Sequence, residues 1–450
     1  MKTASLPLIG ALLMCLFGAL PALVAEEPVK ECRVDAIKKW SVEANAPLVE
    51  IYREFHAAPE LSFHEEKTAL RLAAFLKEAG FTVTTGIGGH GVVAILENGA
   101  GPTVMLRTDL DALPVTEKTE LTFASTVTAK LPDGVTTGVM HACGHDMHIT
   151  NVIGVSRFMA THKDWWKGTL MVIGQPAEEK GAGSKAMLDD GLFTKFQKPD
   201  FALALHVDPT LPAGTVGYRG GYAMANVDSV DIIVKGKGGH GAYPHMTVDP
   251  IVQASQLVLD LQTIVSREVK PADPAVITVG SIHGGTKHNV IGDTCHLALT
   301  VRSYGEEVRQ QLLDAIQRKA NSIALSHRAE KPEITISEGT PSLFNDQVMT
   351  QRIAKRLDVA LGGKRVVPVE PSMGGEDFSR YGIAGVPIFM FRLGAIEVKR
   401  LDRYKELGQQ PPSLHSPHFY PDAEPVLKTA VTATVVGLLE LFQPLTDDAS

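Results

Sequence analysis

Residues 230–336 run strand, helix, strand, strand, helix, strand, and few folds accommodate that order. Residues 230–234 read as a strand, and 251–264 as a helix behind Asp249-Pro250, a helix-start signal. Strands are expected at 275–282 and 296–301, a helix at 306–324 and a last strand at 333–336. A βαββαβ run of about 110 residues predicts a ferredoxin-like unit. On both sides the pattern changes. Helices are expected at 44–56 and 65–77, the second capped by Gly80. Apolar strands are expected at 92–96, 104–106, 170–173, 201–205 and 387–391. Asn98-Gly99-Ala100-Gly101 predicts that the first two of these form a hairpin with a longer turn. Helical segments lie between many of the others, so the fold class is α/β with a mixed sheet, interrupted by the inserted α+β unit.

The start of the chain reads as a targeting signal. Lys2 is the sole charge before Glu26, an apolar run follows, and small residues precede the acidic start at Glu26-Glu27. Residues 1–25 are therefore expected to be a signal peptide, and the mature chain to be periplasmic or secreted. The apolar run is too short to predict a stable membrane span. The 450 residues are 44% hydrophobic and 21% charged, which permits a large core and argues against disorder. The formal charge of −8 comes without a basic run, so nucleic acid is not an expected partner. Beyond the signal, Cys32, Cys143 and Cys295 remain. That odd number excludes a disulfide framework, although Cys32 and Cys295 could pair in an oxidising compartment if Cys143 is used otherwise.

Chemistry concentrates in His141-Ala142-Cys143-Gly144-His145-Asp146-Met147-His148. Imidazole, thiolate and carboxylate are the side chains that hold zinc and similar metals. Cys143 and His145 would share one side of an extended segment. The helix expected at 147–162 would then aim free N–H groups and a partial positive charge at the site. Further candidates lie just beyond expected strand ends: Asp109 and Asp111, Glu178 and Glu179, and His206. Ligands gather at the carboxyl ends of strands in open α/β sheets, so distant positions can converge there. His415, with His418 nearby, is the last candidate. Adjacent side chains diverge, so one carboxylate of Glu178-Glu179 can bind metal while the other stays free as a base.

Seven short motifs complete the pattern. They are Pro59-Glu60-Leu61-Ser62-Phe63, Arg107-Thr108-Asp109-Leu110-Asp111-Ala112-Leu113-Pro114, the 141–148 block, Gln175-Pro176-Ala177-Glu178-Glu179, Gly236-Lys237-Gly238-Gly239-His240, Asn289-Val290-Ile291 and Gly374-Gly375-Glu376-Asp377-Phe378. In this order the chain resembles the metal-dependent amidohydrolases that include hippurate hydrolase, bacterial N-acyl-amino-acid hydrolases and plant auxin-conjugate hydrolases. These are relatives of aminoacylase and of the zinc carboxypeptidases that cut folate.

The resemblance implies a catalytic domain in two parts, 26–217 and 338–450, with a dimerisation domain inserted at 218–337. It implies two divalent metal ions per subunit, held by Cys143, His145, Glu179, His206 and His415, with Glu178 as general base. Zinc suits that ligand set, and manganese, cobalt and nickel stay open. It implies a homodimer in which His240 reaches the partner's site, while Asn289 and Arg302 hold a substrate carboxylate. The chain departs from the family at Ala58, where a histidine is usual, and at Gly292, where proline is common. The stretch 401–412 is longer than usual and leaves His418 as the alternative to His415. The expected reaction is hydrolysis of an N-acyl-amino acid or small peptide. A carboxypeptidase or dipeptidase with the same centre is the alternative, and a non-catalytic metal- or peptide-binding protein is the alternative of another class.

Overall fold

A computed structural model describes residues 31–443. The segment read as a signal peptide lies outside the described residues.

The chain enters through three helices, α1 (Glu31–Glu43), α2 (Asn45–His56) and α3 (Glu66–Glu78). On α2, Leu48, Val49, Ile51, Tyr52 and Phe55 form the buried stripe that a helix of this spacing presents to a core. Strands β1 (Thr82–Ile87), β2 (Gly91–Asn98) and β3 (Thr103–Asp109) follow. Then come α4 (His145–Thr161), β4 (Gly168–Gln175), β5 (Phe201–Pro212) and β6 (Val216–Tyr218).

The βαββαβ run folds as its order predicts. It contains β7 (Asn226–Lys235), α5 (Pro250–Thr263), β8 (Ala275–Gly284), β9 (Thr294–Ser303), α6 (Glu306–Ser326) and β10 (Glu333–Glu338). The sheet order is β8-β9-β7-β10 with every pairing antiparallel, the ferredoxin-like arrangement. Asp249 caps α5 by accepting from the Ile251 and Val252 N–H groups. Its core holds Val230, Ile232, Leu257, Leu297, Leu299 and Ile316, separate from the main core.

The chain then returns through α7 (Gln347–Leu361), β11 (Val366–Pro368), β12 (Ile388–Ile396) and α8 (Ala423–Leu441). The large sheet has the order β1-β2-β4-β3-β5-β12-β6-β11 and mixes parallel with antiparallel pairs. Every residue of β3 is buried, as in a strand covered on both faces. Val104 and Leu106 point into one core, beneath α2, α4 and α8, while Met105 points into the other, with Phe378 and Tyr381.

Two local expectations are corrected. First, β2 and β3 do not form a hairpin, because β4 lies between them, antiparallel to β2 and parallel to β3. The 98–101 turn instead holds the segment entering β4: the Asn98 side-chain amide donates to the Lys163 and Trp166 carbonyls. Both flanking strands are buried on two faces, so each gains from a neighbour along its whole length. Second, His206 lies inside β5 rather than beyond its end, because that strand continues to Pro212. Cys295 is a buried free thiol, while the side chain of Cys32 lies outside the described residues.

Candidate metal and catalytic site

The site lies at the carboxyl ends of β3 and β4 and beside the middle of β5. Cys143 and His145 are not in an extended segment. Gly144 between them is left-handed (φ 79°) and serves as the N-cap of α4, so the chain turns and His145 opens the helix. A side chain at Gly144 would press on Val207 at 2.6 Å, so glycine meets both the backbone and the space requirement there.

Two groups of three ligand-type side chains share the Cys143 thiol. One is Cys143, His145 and His206; the other is Cys143, Glu179 and His415. Within each group the candidate ligand atoms lie within 4.8 Å of one another. The ring nitrogens are pre-set for the task. His145 Nδ1–H donates to the Asp111 backbone carbonyl (2.8 Å), and His206 Nδ1–H donates to the Val207 carbonyl (2.8 Å). In each neutral ring the Nε2 lone pair is therefore left facing the site. His206 Nε2 lies 3.4 Å from Cys143 Sγ. His145 Nε2 and Glu179 Oε1 are buried without a hydrogen-bond partner and stand 3.9 Å apart. Buried polar atoms are rarely left unpaired, so this pair fits a cation.

The electrostatics agree. Burial pushes His145 down, but Asp109, Asp111 and Glu179 outweigh it and raise its pKa to about 10. Burial, Glu179 and Glu178 push the Cys143 thiol up, and a bound cation would reverse that charge balance.

Glu178 and Glu179 occupy a single 3₁₀ turn, Glu178–Lys180. Ala177 before them is left-handed at φ 49°, an uncommon conformation for a residue with a side chain. Its N–H donates to Glu65 Oε1 (2.8 Å). The Asp111 carboxylate holds the turn by accepting from the Glu178 N–H (3.2 Å) and the Glu179 N–H (3.0 Å). Glu179 reaches His415, whose Nε2 is 3.4 Å from Glu179 Oε2. Glu178 groups with Glu376 and Asp377 as well as with His145 and Glu179. Burial, Glu376 and Glu179 push its carboxyl well above the usual range.

His415, not His418, faces this centre. The His415 N–H donates to the Ala142 carbonyl (2.9 Å), whereas His418 Nδ1–H donates to the Lys118 carbonyl (2.8 Å). The remaining histidines of the 141–148 block go elsewhere. His148 spans Asp109 (2.8 Å) and the Val207 N–H (3.0 Å), and burial pushes the unpartnered His141 down to about 4.

A cleft of about 570 Å³ opens over Cys143, Glu178, Glu179, His206 and His415. Arg302 lines it from the inserted unit, donating to the Met373 carbonyl (2.6 Å) and to Thr300 Oγ1 (3.3 Å). His240 and Asn289 do not line it. They sit together on an exposed two-stranded ribbon, where His240 pairs with Val290 and the Gly241 N–H donates to the Asn289 carbonyl (2.9 Å).

The sequence reading missed several residues that build the site. Arg107 is a buried hub, donating to Asp109 (2.7 Å), Glu376 (2.8 Å) and Asp377 (3.2 Å). Its charge in an apolar strand, with a second acidic pair at 376–377, was the available signal. Arg392 and Lys180 also line the cleft. Arg392 pairs in register with His206 on the neighbouring strand, and nothing but its charge inside an apolar run marks it.

A family model described as peptidase family M20/M25/M40 matches residues 105–405. The chain is 39% identical over 336 residues to the N-acetyl-L-cysteine deacetylase of Bacillus subtilis, covering 74% of this chain and 77% of that protein. It is 35% identical over 371 residues to thermostable carboxypeptidase 1 of Saccharolobus solfataricus, covering 82% and 90%. Among solved structures, the Bacillus subtilis YXEP protein, titled a dinuclear metal-binding peptidase, aligns at 30% identity and TM-score 0.71. That alignment covers 90% of this chain and 99% of that one.

Proposed function

The chain belongs to peptidase family M20/M25/M40, a metal-dependent hydrolase of C–N bonds, and on that premise we propose that it cleaves N-acyl-amino acids at a two-metal centre. The observation that carries this reading is the pair of ligand groups sharing Cys143, with the unpaired His145 Nε2 and Glu179 Oε1 between them. Cys143, His145 and His206 would hold one cation, and Cys143, Glu179 and His415 the other. Divalent cations there supply Lewis acidity toward a water and the amide carbonyl.

The chain's own residues do the rest. Glu178 removes a proton from the attacking water and delivers it to the departing nitrogen. Asp111 fixes the turn that aims both carboxylates. Arg302 meets the carboxylate of the amino-acid half; its protein partners are neutral oxygens, so its charge is available. His240 and Asn289, exposed on the ribbon, act in the cleft of a second copy of the chain, where His240 donates to the developing oxyanion.

The test is a panel of N-acyl-amino acids and dipeptides, assayed with protein purified without added metal and then loaded with zinc, manganese, cobalt or nickel. Acyl-amino acids are expected to exceed dipeptides in kcat/KM, with two equivalents of metal at full activity. Preferential cleavage of dipeptides would replace this reading with a peptidase.

A further inference from the structure

His56 on α2 joins two stretches of chain that lead to different proposed ligands. Its Nδ1–H donates to Asp146 Oδ2 (2.7 Å), and its Nε2–H donates to Glu117 Oε1 (2.9 Å), with all three side chains buried. Asp146 directly follows His145 in the first turn of α4, and its other oxygen accepts from the Met147 N–H (2.8 Å). Glu117 lies in 114–127, a stretch of loop and turns. Its carboxylate gathers that stretch by also accepting from the Thr119 hydroxyl and from the Ser125 N–H (2.6 Å). The next residue, Lys118, is stitched twice to the segment that carries His415. Its N–H donates to the Pro417 carbonyl (2.7 Å), and its carbonyl accepts from His418 Nδ1–H (2.8 Å).

His415 needs such support. Its φ of 67° is an uncommon conformation for a residue with a side chain, and one that persists where the surroundings over-determine it. Its side chain is 54% exposed, so packing does little to hold it. The hold comes from the Ala142 carbonyl, which accepts the His415 N–H (2.9 Å), and from Lys118. His145, by contrast, is buried and fixed by the Asp111 carbonyl (2.8 Å).

We propose that His56 is a positioning residue, a latch that ties the His415 segment to the start of α4 and so sets the cation subsite of Cys143, Glu179 and His415. The inference rests on the two-metal reading of the site. The ring acts through Glu117 and Lys118 rather than by touching substrate. Both of its nitrogens face carboxylates and both must donate, so the latch is a charged ring between two anions. Loss of the ring frees Glu117 and the stretch it gathers, while His145 keeps its own hold on Asp111. The subsite of Cys143, His145 and His206 is therefore spared. That sets His56 apart from Cys143, which both subsites share.

The experiment compares wild type with three variants. His56→Gln removes the latch, and Glu117→Ala cuts the same link from the loop. Leu48→Ala weakens the packing of α2 without touching it. Near-UV circular dichroism shows which are folded under the assay conditions; if His56→Gln is not, Glu117→Ala carries the comparison. In metal-free protein, amide hydrogen exchange over 415–419 should be at least tenfold faster in the two latch variants and unchanged in Leu48→Ala. Cobalt titration followed by absorbance should show one equivalent bound as in wild type. The second should bind about 10- to 100-fold more weakly, the usual cost of losing an outer contact. Leu48→Ala should bind both equivalents as wild type does. Unchanged exchange over 415–419 would overturn the latch. Faster exchange with both cobalt affinities intact would also overturn it, because His56 would then steady the loop and not the subsite. Wild-type protein that binds one cobalt or none overturns the two-metal reading by itself, and the latch is then judged on exchange alone.

Discussion

The carboxylate of Asp111 grips the backbone of Glu179, accepting its N–H at 3.0 Å, with the Glu178 N–H beside it at 3.2 Å. One buried side chain thus sets the turn from which both acidic groups project, and the backbone carbonyl of the same residue orients His145. Asp111→Asn is expected to lower kcat about 10- to 100-fold, the usual effect of disturbing an outer contact. Metal titration and KM measured together check this. A variant with wild-type kcat would show that the turn holds itself.

Glu178→Gln tests the division of labour within that turn. The variant keeps Glu179 and every other proposed ligand, so metal content is expected to stay at the wild-type level. Loss of the general base should cost about 10²–10⁴-fold in kcat. Metal loss with full activity per bound metal would exchange the roles of the two glutamates.

Cys143→Ala probes the shared thiol. Both candidate ligand groups contain Cys143, so the variant is expected to weaken both sites rather than one. Metal analysis after dialysis should show occupancy falling toward zero, with activity following it. Unchanged stoichiometry would remove Cys143 from the centre and turn attention to Asp109 or Asp146.

A second buried network, next to the proposed ligands, predicts a pH dependence of stability. His56 on α2 donates to Asp146 (2.7 Å) and to Glu117 (2.9 Å). Burial opposes its charge, yet the two carboxylates raise its pKa from 6.5 to about 9. A raised pKa stabilises the folded state while the ring is protonated in both states. The contribution is therefore full below about pH 6.5 and is lost as pH rises through about 9, on the order of 3 kcal/mol. Burial raises the carboxyls of Asp146 and Glu117, but the His56 pairing outweighs it and lowers both. Their share is lost on the acid side, as pH falls through the carboxylate range. Denaturant midpoints at pH 6.5, 8 and 10 should converge between wild type and His56→Gln as pH rises. A constant gap between them would sink the assignment.

The large elements were legible because their signals are local. The apolar spacing of residues 44–56, the capped start at Asp249-Pro250 and the strand-helix order of 230–336 each point to one structure. The 141–148 block was legible as chemistry because so many ligand types rarely crowd together without use. What stayed hidden depends on partners far along the chain. Residues 98–101 look like a hairpin turn, and nothing nearby says that Gly168–Gln175 will enter between the flanking strands. Cys143 and His145 read as neighbours on one side of an extended segment, whereas the left-handed cap at Gly144 brings them together by a turn. The contacts running from His56 toward His415 draw on residues near 56, 117, 146 and 417, and no single stretch of sequence announces them.

The ribbon carrying His240 supplies the last prediction. His240 and Asn289 are adjacent and exposed there, outside the cleft that holds Glu178 and Arg302. Two copies of the inserted unit could meet through its edge strand β8 or through α5, where Ile251, Val252 and Leu259 are exposed. A two-fold contact of that kind would present each ribbon to the other copy. His240→Ala should then lose about 10²–10³-fold in kcat, as for removal of one oxyanion donor. Glu178→Gln is inactive for a separate reason. Mixed under conditions that exchange subunits, the two variants would form hybrids. In a hybrid, one cleft holds an intact Glu178 from one chain and an intact His240 from the other. Activity is expected to recover toward one quarter of wild type, because about half the dimers are hybrids and each has one complete site. A monomer by sedimentation, or fully exchanged dimers that stay inactive, would confine His240 to a turn on its own ribbon.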